Sequence, residues 1–267
     1  MNIVVCVKQV PNPEIPMGKF KIDAGALKVI PPEGIPPVIN PFDEQAVEVA
    51  LRIKEKNPGS KITVITVGAG SAADILKHSL SMGADEAIFI SDPIFEGSDA
   101  FGTAHILSKA VQKLGNVDLI LCGRQAADWD VGQVGTLLSE ALGIPLITIA
   151  RKVEVVGGKL SVERALIDGY EVLEAPMPAL VTISNEVGLP RLPTGMGIIM
   201  AARKKVATWK AQDMGIDAAK VGKNAARSEM VKLYVPVREA KCEVFQADTV
   251  AEAAAKMAAR LREAKVI

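Results

Sequence analysis

Aromatic residues are scarce, at 4% of 267 residues, so any core is built mainly from Ala, Val, Ile and Leu. No apolar run approaches the roughly 18 residues that cross a bilayer. The chain opens as a strand, MNIVVCVKQV, with no basic and apolar export segment ahead of it. Three cysteines (Cys6, Cys122, Cys242) form no C-x-x-C pair, which argues against a disulfide framework and against a zinc site. A reducing, cytoplasmic compartment is expected. Cys6 and Cys122 fall inside predicted strands and read as small buried hydrophobes. The formal net charge is zero, which removes any long-range pull toward nucleic acid or an anionic membrane, and no nucleic-acid partner is expected. The two histidines, His78 and His105, lie in helical patterns and read as solvated. No Ser or Cys stands in a nucleophile elbow, and neither a Walker A run nor a G-x-G-x-x-G fingerprint is present. These absences disfavour hydrolytic chemistry.

What is present is alternation. Residues 3–7, 62–67, 86–90 and 117–122 are short continuous apolar runs, as in strands covered on both faces. Residues 43–57, 71–82 and 99–114 between them carry helical patterns. The first has Asn40 as its cap, Pro41 at the first helical position, and Asp43 and Glu44 in the first turn. Ser71 is placed to cap the second, and Gly83 to end it. This order predicts an α/β fold with a doubly wound, mostly parallel sheet.

Residues 152–156 and 160–166 flank Gly157-Gly158, a hairpin signal, and 179–183 reads as a buried strand. Residues 185–200, NEVGLPRLPTGMGIIM, fit no period and predict an exposed loop. Residues 205–245 are thinly apolar and read as an arm laid on a partner. The expected organisation is therefore an α/β domain over 1–205, including the 185–200 loop, followed by an arm and helix over 206–267. The closing helix, about 249–264, carries Val250, Ala253, Ala254, Met257, Ala258 and Leu261 on one face. Glu48, Arg52 and Glu55 read as a solvated helix face, and Arg203, Lys204 and Lys205 as a surface charge run.

The strongest site signal is VDLILCGRQAADWDVGQVG, where a strand meets a polar loop and then a helix that ends at Gly143. Gly123, Gly132 and Gly135 let backbone approach a ligand, and the amides of Gly132, Gln133 and Val134 point where a phosphate would sit. Asp128 and Asp130 are placed to accept from ribose hydroxyls. On spacing alone, an equal reading has Asp130 capping the helix and the glycines making a tight turn. Cys6, residues 40–43 and Val67-Gly68 end or follow other strands, and in a doubly wound sheet such ends meet at one crevice.

Four ordered segments carry a resemblance: MNIVVCVKQVP, NPFDEQAVEVALRIKE, LILCGRQAADWDVGQVG and VERALIDGYEVLEAPMPALVTIS. Together they resemble the β subunits of electron-transferring flavoproteins, over residues 1 to about 205 and more weakly beyond. The last segment has the family's signature in Arg164, Asp168-Gly169, Glu171 and Pro178. The resemblance implies a domain like that of adenine nucleotide α hydrolases, with a C-terminal arm that wraps a larger α subunit carrying FAD. It implies that the β crevice holds AMP or, in an electron-bifurcating branch, a second FAD. By matching motif positions, the cofactor would be bound by Cys6, Asn40, Pro41, Phe42, Asp43, Val67, Gly123, Arg124, Gln125, Ala126, Asp128, Trp129, Asp130, Val131, Gly132, Gln133 and Val134. Loop 185–200 would dock a flavin dehydrogenase of the acyl-CoA dehydrogenase type, with Met196 or Leu192 as its apolar anchor. A membrane-bound oxidoreductase as acceptor, and NADH as hydride donor in the bifurcating branch, are further implied partners.

The chain departs from the family in two places. Relatives read Asn-x-Pro-Arg-Tyr in the docking loop, where this chain has a longer NEVGLPRL. Bifurcating relatives read Asp-Gly-Asp-Thr-x-Gln-Val-Gly in the nucleotide loop. Here Trp129 and Val131 replace small and hydroxylic residues, while Gln133-Val134-Gly135, the opening segment and the tail around Cys242 to Phe245 follow that branch. An indole at 129 either stacks on a flavin or fills its space. A stand-alone adenine-nucleotide binder of the stress-protein type is the alternative, but Gly143-Ile144 stands where such proteins carry a second phosphate-binding Gly-Ser/Thr pair.

Overall fold

The computed structural model describes residues 1–236 and 242–267. Asn2–Cys6 (β1) leads into short strands Gln9–Val10 (β2), Lys21–Asp23 (β3), Lys28–Ile30 (β4) and Val38–Ile39 (β5). β2 pairs with β5, and β3 with β4, both antiparallel. There follow Pro41–Lys56 (α1), Lys61–Val67 (β6), Asp74–Met82 (α2), Glu86–Ile90 (β7), Ala100–Leu114 (α3), Leu119–Gly123 (β8) and Val134–Leu142 (α4). Leu146–Val156 (β9), Lys159–Leu166 (β10) and Gly169–Ala175 (β11) then form an antiparallel meander. Ala179–Ile183 (β12), Gly195–Arg203 (α5) and Ala207–Trp209 (β13) follow.

The main sheet runs in the order β11-β10-β9-β12-β8-β1-β6-β7-β13. From β9 to β13 every neighbour is parallel. The expected doubly wound α/β architecture is what forms. Strand alternation sorts its two faces. Ile3 and Val5 join Ile62, Val64, Leu119 and Leu121 under α1 and α2, while Val4 and Cys6 join Ile65, Ile120 and Cys122 under α3 and α4. Burying each such aliphatic side chain contributes about 1.5–3 kcal/mol. The chain moves from β1 to one side through β6 and β7, then returns to the other side through β8. The strand order therefore reverses at β1 and β8, the switch point where ligands bind in such sheets.

Local chemistry explains most element ends. Asp99 accepts from the amides of Phe101 and Gly102 and starts α3. Gly157 and Gly158, both at positive φ, make the β9–β10 turn. Other elements depart from the sequence expectation. Ser71 does not cap α2, because Gly70–Ala73 form a 3-10 turn and the helix starts at Asp74. β11 has no counterpart among the expected strands. Loop 185–200 opens with a 3-10 turn at Asn185–Val187 and is irregular only from there to residue 194. Thr194 caps the amide of Gly197, and residues from Gly195 onward form α5. One glycine of that stretch serves packing, since a Cβ on Gly197 would strike the Ser81 carbonyl oxygen of α2.

His78 is not simply solvated; its Nε2 lies 2.6 Å from Glu44 Oε1 and joins α2 to α1. Lys204 is likewise engaged, donating to the carbonyls of Ala84 and Asp85. Compactness divides the chain into Met1–Lys232 and Leu233–Ile267. Residues 206–232, which composition groups with the arm, contribute β13 to the sheet and bury Ala211, Met214, Ile216 and Val221. In the second unit, Val250–Glu263 (α6) is capped by Thr249 and buries none of its residues. Among the described residues, no helix is long and apolar enough to cross a membrane.

Candidate functional site

The carboxyl ends of β1, β6 and β8 lie side by side, with Cys6 in register with Ile65 on one side and Cys122 on the other. One buried carboxylate joins two of these ends. Asp43 Oδ1 accepts from the Gly123 amide at 2.9 Å, and Oδ2 accepts from the Lys8 amide at 2.8 Å. Asp43 is only 6% exposed. Burial pushes its carboxyl up to about 7, against the opposing pull of hydrogen bonds from Asn40, Lys8 and Gly123. Gly123 admits no side chain: a Cβ there would strike the Asp43 carboxylate and sit 2.7 Å from Phe42 Cβ.

Asn40 stands at the N-cap position of α1 as expected, but its side chain makes no capping hydrogen bond. Its side chain spans to the loop after β8, donating from Nδ2 to the Gln125 carbonyl at 2.8 Å and accepting at Oδ1 from the Ala127 amide at 3.0 Å. Lys8 Nζ reaches both oxygens of Asp128, at 2.8 and 2.6 Å. The Arg124 amide donates to the Ile183 carbonyl of β12. The loop is thus fixed from three separate segments, at Asn40, Lys8 and β12.

Asp130 is not a helix cap either. It lies at φ +52° and accepts from Gln125 Nε2 at 2.8 Å. α4 begins at Val134, with no side chain capping it. Its first-turn amides and the positive end of its dipole are therefore available to an anion. Gly135 seats the helix on β12, since a Cβ there would lie 2.8 Å from Thr182 Cγ2. Arg124 adds a buried Nε with no hydrogen-bond acceptor, while its guanidinium lies 5.1 Å from the Phe42 ring centroid. A buried donor without a partner calls for an acceptor, and a phosphate supplies one. Trp129 is 45% exposed at the turn, and Val131 is exposed near it.

The structure brings Asn40, Pro41, Phe42, Asp43 and the 123–134 segment together at this crevice, with Cys6 and Val67 at the adjoining strand ends. The Cys6 and Cys122 thiols are both buried, and contact with Cys6 together with burial pushes the Cys122 thiol well up, so Cys122 stays protonated. Lys8, Gln9 and Ser71 were not legible as site residues. Gln9 donates to the Ser71 carbonyl and accepts from its hydroxyl, tying β2 to the loop after β6. The available signal for Lys8 was its place directly after β1, at a strand end in a fold that binds ligands there.

Loop 185–200 lies elsewhere, held against α1 by Gln45, Glu48 and Arg52. Leu192 and Met196 are 86% and 68% exposed, Leu192 in the loop and Met196 in the first turn of α5. Glu48 is not part of a solvated face; its side chain is 5% exposed and is held by Arg52 and Arg191.

A family model described as "Electron transfer flavoprotein domain" matches residues 29–214. The chain is 42% identical to the electron transfer flavoprotein subunit beta of Thermoanaerobacterium thermosaccharolyticum, over 100% of both chains. It is 36% identical to the caffeyl-CoA reductase-Etf complex subunit CarD of Acetobacterium woodii, again over 100% of both. Protein FixA of Azorhizobium caulinodans is 33% identical over 90% of this chain and 86% of its own. Such full-length similarity sets aside the stand-alone nucleotide binder. The chain belongs to the electron transfer flavoprotein family as a β subunit, an electron-transfer component that pairs with an α subunit.

Proposed function

We propose that the crevice between β1 and β8 permanently holds the adenosine-containing part of an FAD, in a heterodimer whose α subunit carries the flavin that exchanges electrons with other proteins. The observation that carries this reading is the loop fixed by Asn40 and Lys8, which starts at Arg124 with its unpartnered buried Nε and ends at the uncapped start of α4. In this reading the amides of Gly132, Gln133 and Val134 and the Arg124 guanidinium take the phosphates. Lys8 and Asp43 keep the strand ends at a fixed spacing. No residue at the site has the geometry of a nucleophile, which suits a cofactor that is held rather than consumed. Bound flavin supplies reversible one- and two-electron chemistry, and this chain's part is to position it and set its surroundings. FAD is preferred to AMP because Gln133-Val134-Gly135, the opening segment and the tail around Cys242 to Phe245 resemble the FAD-containing branch.

The partner we propose is a flavin dehydrogenase or reductase acting on a CoA thioester, docked at loop 185–200. The CarD relative supports this, since its name places it in a complex with a caffeyl-CoA reductase. NADH as hydride source and a membrane-bound oxidoreductase as acceptor complete the proposed chain of transfer.

The test is stoichiometric. Co-expressed with its α subunit, the complex is purified and denatured, and released flavin and AMP are counted. Two FAD per heterodimer is the expected result. One FAD with one AMP would replace the cofactor assignment, and a complex with no adenosine compound beyond the α-bound FAD would refute the site.

A further inference from the structure

One face of α1 carries Gln45, Glu48, Arg52 and Glu55 at successive three- and four-residue spacings, and all four meet loop 185–191 or its arginine. Arg52 donates to the carbonyls of Val187 at 2.9 Å and Leu189 at 3.4 Å. Gln45 Nε2 reaches the carbonyls of Asn185 and Gly188 at 3.5 and 3.4 Å. Glu48 Oε2 accepts from the Arg191 amide at 3.2 Å and from its Nε at 2.7 Å, while Oε1 accepts from Arg52 Nε at 2.7 Å. Arg191 Nη1 also meets Glu55 at 2.6 Å. Burial pushes the Glu48 carboxyl up, but the hydrogen bonds of Arg191 and Arg52 outweigh it and hold the group below its ordinary range.

Carbonyls of residues 185, 187, 188 and 189 and the amide of Arg191 are therefore taken up by α1, Val187 is buried, and Leu189 and Leu192 remain outside. Leu189 is 87% exposed and Leu192 is 86% exposed, one on each side of the anchored Arg191. Apolar side chains on a backbone already fixed lose little further freedom when they bind, which is how preorganisation raises affinity.

We infer that Arg191, gripped by the buried carboxylate of Glu48, is a positioning residue that presents Leu189 and Leu192 to an apolar recess on the CoA-thioester flavin dehydrogenase. The inference rests on the docking role proposed above for this loop and shifts the anchor from Met196, which belongs to α5, to the two leucines. The partner needs a cavity for two aliphatic side chains and no counter-charge for Arg191, whose guanidinium is already paired.

The experiment compares heterodimers as substrates of a short-chain acyl-CoA dehydrogenase reduced by butyryl-CoA, with hydrogen exchange of the 187–192 amides measured in parallel. Arg191→Met is expected to speed exchange across 187–192 and raise KM for the heterodimer about tenfold, because the loop must then be ordered on binding. kcat and flavin content stay within twofold of wild type. Arg191→Lys, which restores the charge but not the forked geometry, recovers part of the KM. Glu48→Gln moves KM in the same direction and serves if Arg191→Met fails to assemble. Unchanged KM despite faster loop exchange overturns the positioning role. The docking reading is tested separately: failure of Leu189→Ala/Leu192→Ala to raise KM, or of the wild-type heterodimer to be reduced at all, refutes the loop as the docking site.

Discussion

Asp43→Asn tests the electrostatics of the crevice most directly. The carboxyl is pushed from 3.8 to about 7 by burial in the folded chain. A folded-state pKa above the unfolded one means that the folded state binds the extra proton. The associated stabilisation is present at low pH and lost as pH rises through about 7. Each unit of difference corresponds to about 1.4 kcal/mol. Between about pH 5 and pH 8, Asp43 therefore removes on the order of 3 kcal/mol of stability from the wild type. Asparagine has nearly the same shape and does not titrate. It cannot accept from both the Lys8 and Gly123 amides, since one of its two polar atoms is a donor, so it carries a penalty of about 1–3 kcal/mol that is the same at every pH. Urea unfolding at fixed protein concentration, at several pH values in this window, should give wild-type and variant curves that converge as pH rises. Parallel curves would mean that Asp43 titrates in its ordinary range and that its burial has been misread.

Two further changes probe the same architecture. Gly123→Ala drives a methyl into Phe42 and the Asp43 carboxylate, which should cost on the order of 1–3 kcal/mol and deplete bound adenosine cofactor. A variant with wild-type melting and full cofactor would disprove that close approach. Asn40→Ala should leave the early α1 amides protected, because Asn40 does not cap them, while exchange at 125–127 rises and cofactor retention falls. Fraying of α1 with an undisturbed loop is the opposite outcome and would restore the ordinary cap.

Much of this protein was legible without its structure, for reasons that are local. Continuous apolar runs at 3–7, 62–67 and 179–183 specify strands buried on both faces, because no other short element hides every side chain. The helical patterns at 99–114 and about 249–264 met real helices, whose starts Asp99 and Thr249 cap through hydrogen bonds that reach only two or three residues. Gly157-Gly158 fixed a turn by backbone freedom alone. The four quoted segments carried the family, since their order and spacing survive in a single reading of the chain.

Only the tertiary structure could decide where polar side chains go. Asn40 has every local mark of a helix cap and Asp130 equally so, yet their partners are Gln125 and Ala127 for the first and Gln125 for the second. Glu48 has the spacing of a solvated ion pair, and it is buried because a loop some 140 residues later lays Arg191 over it. Lys8 becomes a site residue only once β1 and β8 are neighbours. Periodicity records which side chains leave water, a property each residue shares with its near neighbours. A hydrogen bond between distant segments depends on where the folded sheet carries them, and no local pattern encodes that meeting.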